Sequence, residues 1–249
     1  GDSLGMVVQG HANTLPVTID DVIYHTRAVA RARCRAHLVA DMPFMSYQVG
    51  VDQALRNAGR LLAEAGAESV KLEGGSETAA TVQRLVQSGI PVMGHVGLTP
   101  QSVHALGGFV VQGKTDAEAQ RLLDSARRLE DAGCYSIVIE SVPALVGEAI
   151  TSALSIPTIG IGAGPDCDGQ VLVCYDLIGL NPDFKPRFVK RFAEVGATVR
   201  EAVASFADEV RRGVFPDASH CFESKLLTRA PVPADDTEAE VLALYGTVR

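Results

Sequence analysis

The feature that most constrains this chain is a unit that recurs: a segment with helical periodicity, a glycine, and at once a short run rich in β-branched residues. Its clearest copy starts at Thr115, where Thr-Asp-Ala-Glu has the form of a capping box closed by Glu118. Ala119, Leu122, Leu123, Ala126 and Leu129 follow at helical spacing, and Gly133 stops the segment. A second segment runs from Gln53 to Gly66 and a third from Thr78 to Gly89. The runs between them predict strands at 37–44, 69–73, 91–96, 136–140, 157–162 and 171–175. Helices placed between successive strands make those strands parallel.

Two parallel architectures compete, a doubly wound open sheet and a (β/α) barrel. Asp41, Glu73, His95 and Glu140 each fall at or just past the C-terminal end of a different strand. Barrel enzymes gather their reacting groups on that rim, so the barrel is preferred. Six strands are read where a (β/α)8 TIM barrel has eight, and the opening Gly-Asp-Ser-Leu-Gly-Met reads as a loop leaving an earlier strand. The expectation is an α/β barrel that lacks its first βα unit and most of its second strand. It occupies residues 1–223, with amphipathic helical sequence from about 185 to 212. Residues 224–249 hold a Pro-Val-Pro-Ala-Asp-Asp linker and a short helix-like end at 237–245.

Composition narrows the function. A length of 249 residues suits one large domain, and 47% hydrophobic residues suffice for a core. A net charge of −8 with no Lys/Arg block argues against nucleic acid. No apolar stretch approaches the roughly 18 residues of a bilayer span, so no membrane partner is expected. Cys34, Cys134, Cys167, Cys174 and Cys221 are odd in number and lack metal-site spacing, which reads as reduced and cytoplasmic.

The acidic residues at strand ends suggest a hard cation. Mg²⁺ prefers oxygen ligands and takes a few carboxylates, and Asp2, Asp41 and Glu73 suit that task. A single such carboxylate is as readily a helix cap; several on one rim are harder to dismiss. Lys71 lies two residues before Glu73 and so on the same strand face. It can bind a substrate carboxylate, or form an ion pair with Glu73 or Asp41. His95 is either a hydrogen-bonded core residue or a group beside the substrate. Gly160, Gly162 and Gly164 allow a close backbone approach to a ligand or simply make a tight turn. Because a strand rather than a helix is expected after them, a nucleotide loop is disfavoured.

Six phrases occur in order: Gly-Asp-Ser-Leu-Gly-Met (1–6), Thr-Leu-Pro-Val-Thr (14–18), Ala-Asp-Met-Pro-Phe (40–44), Val-Lys-Leu-Glu-Gly-Gly (70–75), Gly-His-Val-Gly-Leu-Thr-Pro-Gln-Ser (94–102) and Gly-Ile-Gly-Ala-Gly (160–164). Together they make the chain resemble the ketopantoate hydroxymethyltransferase family, to about Phe222. The resemblance implies a barrel of the phosphoenolpyruvate/pyruvate superfamily type and a cytoplasmic homo-oligomer, a decamer. It also implies a one-carbon transfer from 5,10-methylenetetrahydrofolate to 3-methyl-2-oxobutanoate through a magnesium-bound enolate, giving ketopantoate for pantothenate biosynthesis. In that scheme Asp2, Asp41 and Glu73 hold Mg²⁺, and Asp2, Ser3, Asp41 and Lys71 contact the 2-oxo acid. Glu140 is the general base and His95 supports it. The competing readings are a related Mg-dependent 2-oxo acid lyase and a catalytically silent barrel that serves as a binding or assembly subunit.

Overall fold

The computed structural model describes residues 1–32, 35–183 and 185–222. The helix-like end expected at 237–245, its linker and Cys34 lie outside them. Two compact units are present, residues 1–197 and a second unit that starts at Thr198. No helix among the described residues is long and apolar enough to cross a membrane.

In chain order the first unit contains α1 (Leu4–Val7), α2 (Ile19–Ala32), β1 (Val39–Asp41), α3 (Val51–Ala63), β2 (Ser69–Lys71), α4 (Ala79–Gln87), β3 (Val92–Gly97), α5 (Asp116–Asp131), β4 (Ser136–Glu140), α6 (Ala144–Ala153), β5 (Thr158–Ile161), β6 (Gly169–Gln170) and α7 (Cys174–Leu177). α8 (Val195–Arg211) follows, and beyond it Phe215 sets its ring edge-on to Phe206. The six strands form one parallel sheet in the order β1-β2-β3-β4-β5-β6. An order without a reversal, combined with right-handed crossovers, puts the helices on one face and curls the sheet like a barrel wall. In keeping with that, α2 packs on α3, α3 on α4, α4 on α5 and α5 on α6.

The period of two sorts the side chains. Val70 and Leu72, Val92 and Val96, and Ile137 and Ile139 are buried in the apolar core that includes Leu61, Leu85, Leu129 and Ile150 of the helices. Their neighbours in sequence, Lys71 and Glu73, Met93 and His95, and Val138 and Glu140, line a cavity on the other face. Transferring the helix-side residues out of water drives the wall together, at about 25 cal/mol per Å² of apolar surface. The inner face is thereby left to chemistry.

The capping box at Thr115 is present, with Glu118 N–H donating to Thr115 Oγ1, and α5 ends before Gly133 at φ +100°. Two expected elements differ. The strand expected at 171–175 lies earlier: β6 is Gly169–Gln170, Val171 N–H still donates to the Gly160 carbonyl, and Cys174–Leu177 is helical. Among the described residues the apolar run has no ladder partner beyond that bond, because β5 ends at Ile161 and the chain turns at Gly162, φ +64°. The helical reading of 185–212 holds only from Val195. Before it, Pro186 disfavours helix at residue 185. Phe192 and Val195 give their N–H groups to the carbonyls of Leu177 and Ile178 instead of to a helix.

Candidate active site

All but one of the charged residues of the site arrive at the ends of the first four strands. Asp41 closes β1, Lys71 closes β2 with Glu73 two residues on, His95 lies in β3 and Glu140 closes β4. Asp2 comes from the segment ahead of α1, whose turn is tied by Gly5 N–H to the Asp2 carbonyl. Asp2, Asp41 and Glu73 each offer a carboxylate oxygen within 4.8 Å of the others, and all three are buried, at 2%, 7% and 5% exposure. Lys71 Nζ lies 2.8 Å from Asp41 Oδ1, so the ion pair weighed from sequence forms. Lys71 also faces His95 Nδ1 at 3.1 Å, and His95 Nε2 faces Glu140 Oε2 at 3.1 Å. An ammonium donates and cannot accept, which assigns the ring proton to Nε2; that nitrogen lies near Glu140 without hydrogen-bond alignment.

The electrostatics follow from burial. Desolvation, reinforced by the charge of Asp41, raises the Asp2 carboxyl to about 6. Desolvation likewise holds Glu73 well above the usual carboxylate range. Burial works against the charge of Lys71, but Asp41, Glu73 and Asp2 more than offset it and raise its pKa. His95 is pushed down by burial and then by Lys71, which keeps the ring neutral. Three carboxylates against one ammonium concentrate negative charge in a buried place, which protonation of a carboxylate or a hard cation can relieve.

The structure therefore brings all the expected residues together: Asp2, Ser3, Asp41, Lys71, Glu73, His95 and Glu140 line one cavity of about 550 Å³. A second cavity of about 570 Å³ shares Ser3 and Glu140 and is walled by Leu98, Phe109 and Phe188, with the carboxyl of Asp176 at its edge. Burial raises Asp176, and Arg191 opposes the shift. Gly162 and Gly164 make the tight turn with close packing: added Cβ atoms would meet the Phe188 ring at 3.1 Å and Ala144 Cβ at 2.6 Å. The sequence reading passed over Asp176, Tyr47 and Gln101. Gln101 and Tyr47, uncharged at neutral pH, escape a search for charged groups, and Asp176 directly follows the run 171–175 expected as strand. The one available signal is Pro100, which starts a 3-10 turn directly after β3 and so turns Gln101 back to the rim.

Known proteins resemble this arrangement in sequence. The model of a family described as ketopantoate hydroxymethyltransferase matches residues 1–218. The 3-methyl-2-oxobutanoate hydroxymethyltransferase of Anaeromyxobacter dehalogenans strain 2CP-1 is 56% identical over 96% of this chain and 80% of its own length. That of Anaeromyxobacter sp. strain Fw109-5 is 57% identical over the same shares. That of Geobacter metallireducens strain GS-15 is 56% identical over 89% of this chain and 83% of its own. A match that runs through every strand and every charged residue of the site assigns the chain: it belongs to the ketopantoate hydroxymethyltransferase family.

Proposed function

We propose that this chain transfers a hydroxymethyl group from 5,10-methylenetetrahydrofolate to 3-methyl-2-oxobutanoate, forming ketopantoate. The observation that carries the reading is the continuous line from the acidic triad through Lys71 and His95 to Glu140, with steps of 2.8, 3.1 and 3.1 Å. Asp2, Asp41 and Glu73 would hold Mg²⁺, which when bound supplies Lewis-acid polarisation of the keto group. Lys71 and Ser3 bind the substrate carboxylate. Water breaks the two C–N bonds that tie the one-carbon unit to the folate, which returns tetrahydrofolate and leaves that carbon at the formaldehyde level. Glu140 takes the proton from C3, the electron pair of that C–H bond forms the new carbon–carbon bond, and the oxygen derived from water is protonated as the hydroxyl. His95 lies 3.1 Å from Glu140 Oε2 through Nε2 and bounds the space in which that carboxylate moves. The second cavity would seat the folate, its apolar walls against the ring system and Asp176 as an acceptor for ring N–H groups. At the level of the whole chain, the sheet is read as six consecutive strands of a (β/α)8 barrel of the phosphoenolpyruvate/pyruvate superfamily type, in a cytoplasmic homo-oligomer.

The test uses the first half of the reaction. With Mg²⁺ and no folate, the protein should exchange the C3 proton of 3-methyl-2-oxobutanoate with deuterated water, and product should form only once folate is added. Glu140→Gln should keep cation and 2-oxo acid binding yet slow exchange at least about 100-fold. Exchange at the normal rate removes Glu140 from the role, and an unreactive wild type removes the transferase reading.

A further inference from the structure

Behind the triad lies one residue whose polar groups are all committed. Gln101 is 5% exposed. Its Nε2 donates to Asp2 Oδ2 and to the Met42 carbonyl, each at 2.9 Å. Its Oε1 accepts from Gln48 Nε2 at 3.1 Å and lies 2.9 Å from the Tyr47 hydroxyl. Its backbone N–H donates to Glu73 Oε2 at 2.9 Å. A flipped amide would set its oxygen against a carboxylate and a carbonyl, so the orientation is fixed.

These bonds give the triad a pattern. Asp2 is held through Oδ2, Glu73 through Oε2 and Asp41 through Oδ1, the last by Lys71. Asp2 and Glu73 are thus each anchored at one oxygen by a hydrogen-bond donor, and Asp41 at one oxygen by its ion pair with Lys71, which lacks hydrogen-bond alignment; the other oxygen of each is left to face a ligand. Gln101 supplies two of the three anchors, one from its side chain and one from its backbone. Through the Met42 carbonyl it is also tied to the residue that follows Asp41. Tyr47 completes the frame: its hydroxyl accepts from Glu73 N–H at 3.1 Å and lies 2.9 Å from both the Glu73 carbonyl and Gln101 Oε1, with one proton to give.

We infer that Gln101 is a positioning residue that sets the spacing of the acidic triad and thereby its preference for a small cation. The inference rests on the metal reading proposed above. Mg²⁺ demands near-ideal octahedral geometry at short distances, whereas Ca²⁺ accepts more ligands in looser arrangements. A triad whose carboxylates are each pinned at one oxygen suits the first ion. Once the pins are removed the carboxylates splay, and the second ion is penalised less.

The experiment measures Mg²⁺ and Ca²⁺ affinities by calorimetry for the full chain and for Gln101→Met, which keeps the side-chain length and removes both donors. Mg²⁺ affinity should fall at least about tenfold and Ca²⁺ affinity less than about threefold. A role confined to stability would lower the melting temperature and leave the ratio of affinities unchanged. Tyr47→Phe, which loosens Gln101 without removing it, should move the ratio in the same direction by a smaller factor. It carries the test if Gln101→Met does not fold. An unchanged Mg²⁺/Ca²⁺ ratio in a folded variant overturns the inference while leaving the metal site standing. A wild type that binds neither ion overturns both.

Discussion

Among single residues, Asp2 is a carboxylate whose charge the fold accommodates poorly. It is 2% exposed, faces Asp41, and among the described residues has only the Gln101 amide as a side-chain hydrogen-bond donor. Its raised pKa has a definite sign in binding. A proton and a cation compete for the same carboxylate, so the Asp2 contribution to Mg²⁺ affinity should be lost as pH drops through about 6. The same shift acts on folding in the opposite sense from a salt-bridged aspartate. The folded chain binds the Asp2 proton more tightly than the unfolded chain does. The metal-free protein should therefore lose stability as pH rises from about 4 to about 6, and level off above. Calorimetric titrations at several pH values with Asp2→Asn as control check the first effect. If the pH dependence of affinity survives in that variant, another group is responsible.

At the scale of elements, helices build the wall and strand ends deliver the chemistry, so substitutions in the two should differ in kind. Thr115→Ala removes the cap of α5 and should cost about 1 kcal/mol in urea unfolding without touching the site. Gly97→Ala should cost more than about 2 kcal/mol and also reduce activity. Gly97 has φ +95°, and a Cβ there would collide with the carbonyl oxygen of Glu140, its partner in the ladder. If Gly97→Ala proves as mild as Thr115→Ala, that contact is not what orients the end of β4. The same division explains what could be read from sequence. β3, β4 and α5 are legible because periodicity, the capping box and glycine stops all agree. β6 and 185–194 are not, since Val-Leu-Val near residue 172 and the apolar residues near 190 satisfy a local pattern while their backbone bonds are decided by distant partners. Asp41, Lys71, Glu73, His95 and Glu140 announce themselves as charged groups at strand ends. Gln101 does not, because an uncharged amide acquires meaning only from the carboxylates folded against it.

For the whole molecule, the order of the strands means that most sheet contacts join segments about one βα unit apart, as in Val39 opposite Ser69. The Asp2 to Gln101 bond spans 99 residues and crosses three strands' worth of chain. Contacts of such separation form late, after the intervening wall exists. A cation held by Asp2, Asp41 and Glu73 would then stabilise the finished state and not the barrier before it. Mg²⁺ should raise the melting temperature, slow unfolding by roughly the factor 1 + [Mg²⁺]/Kd, and leave the folding rate unchanged. Stopped-flow unfolding in urea with Mg²⁺ or a chelator measures this, and acceleration of folding would place the triad in the nucleus instead. The alternation of faces along β1 and β2 adds a consequence for errors of assembly. A one-residue slip turns Asp41, or Lys71 with Glu73, toward the helices and away from the cavity. A misregistered chain can hide such a slip from any measure of helix content, but it cannot retain the ion. Slow cation release would thus act as a proofreading signal, separating chains that are folded from chains that are merely collapsed.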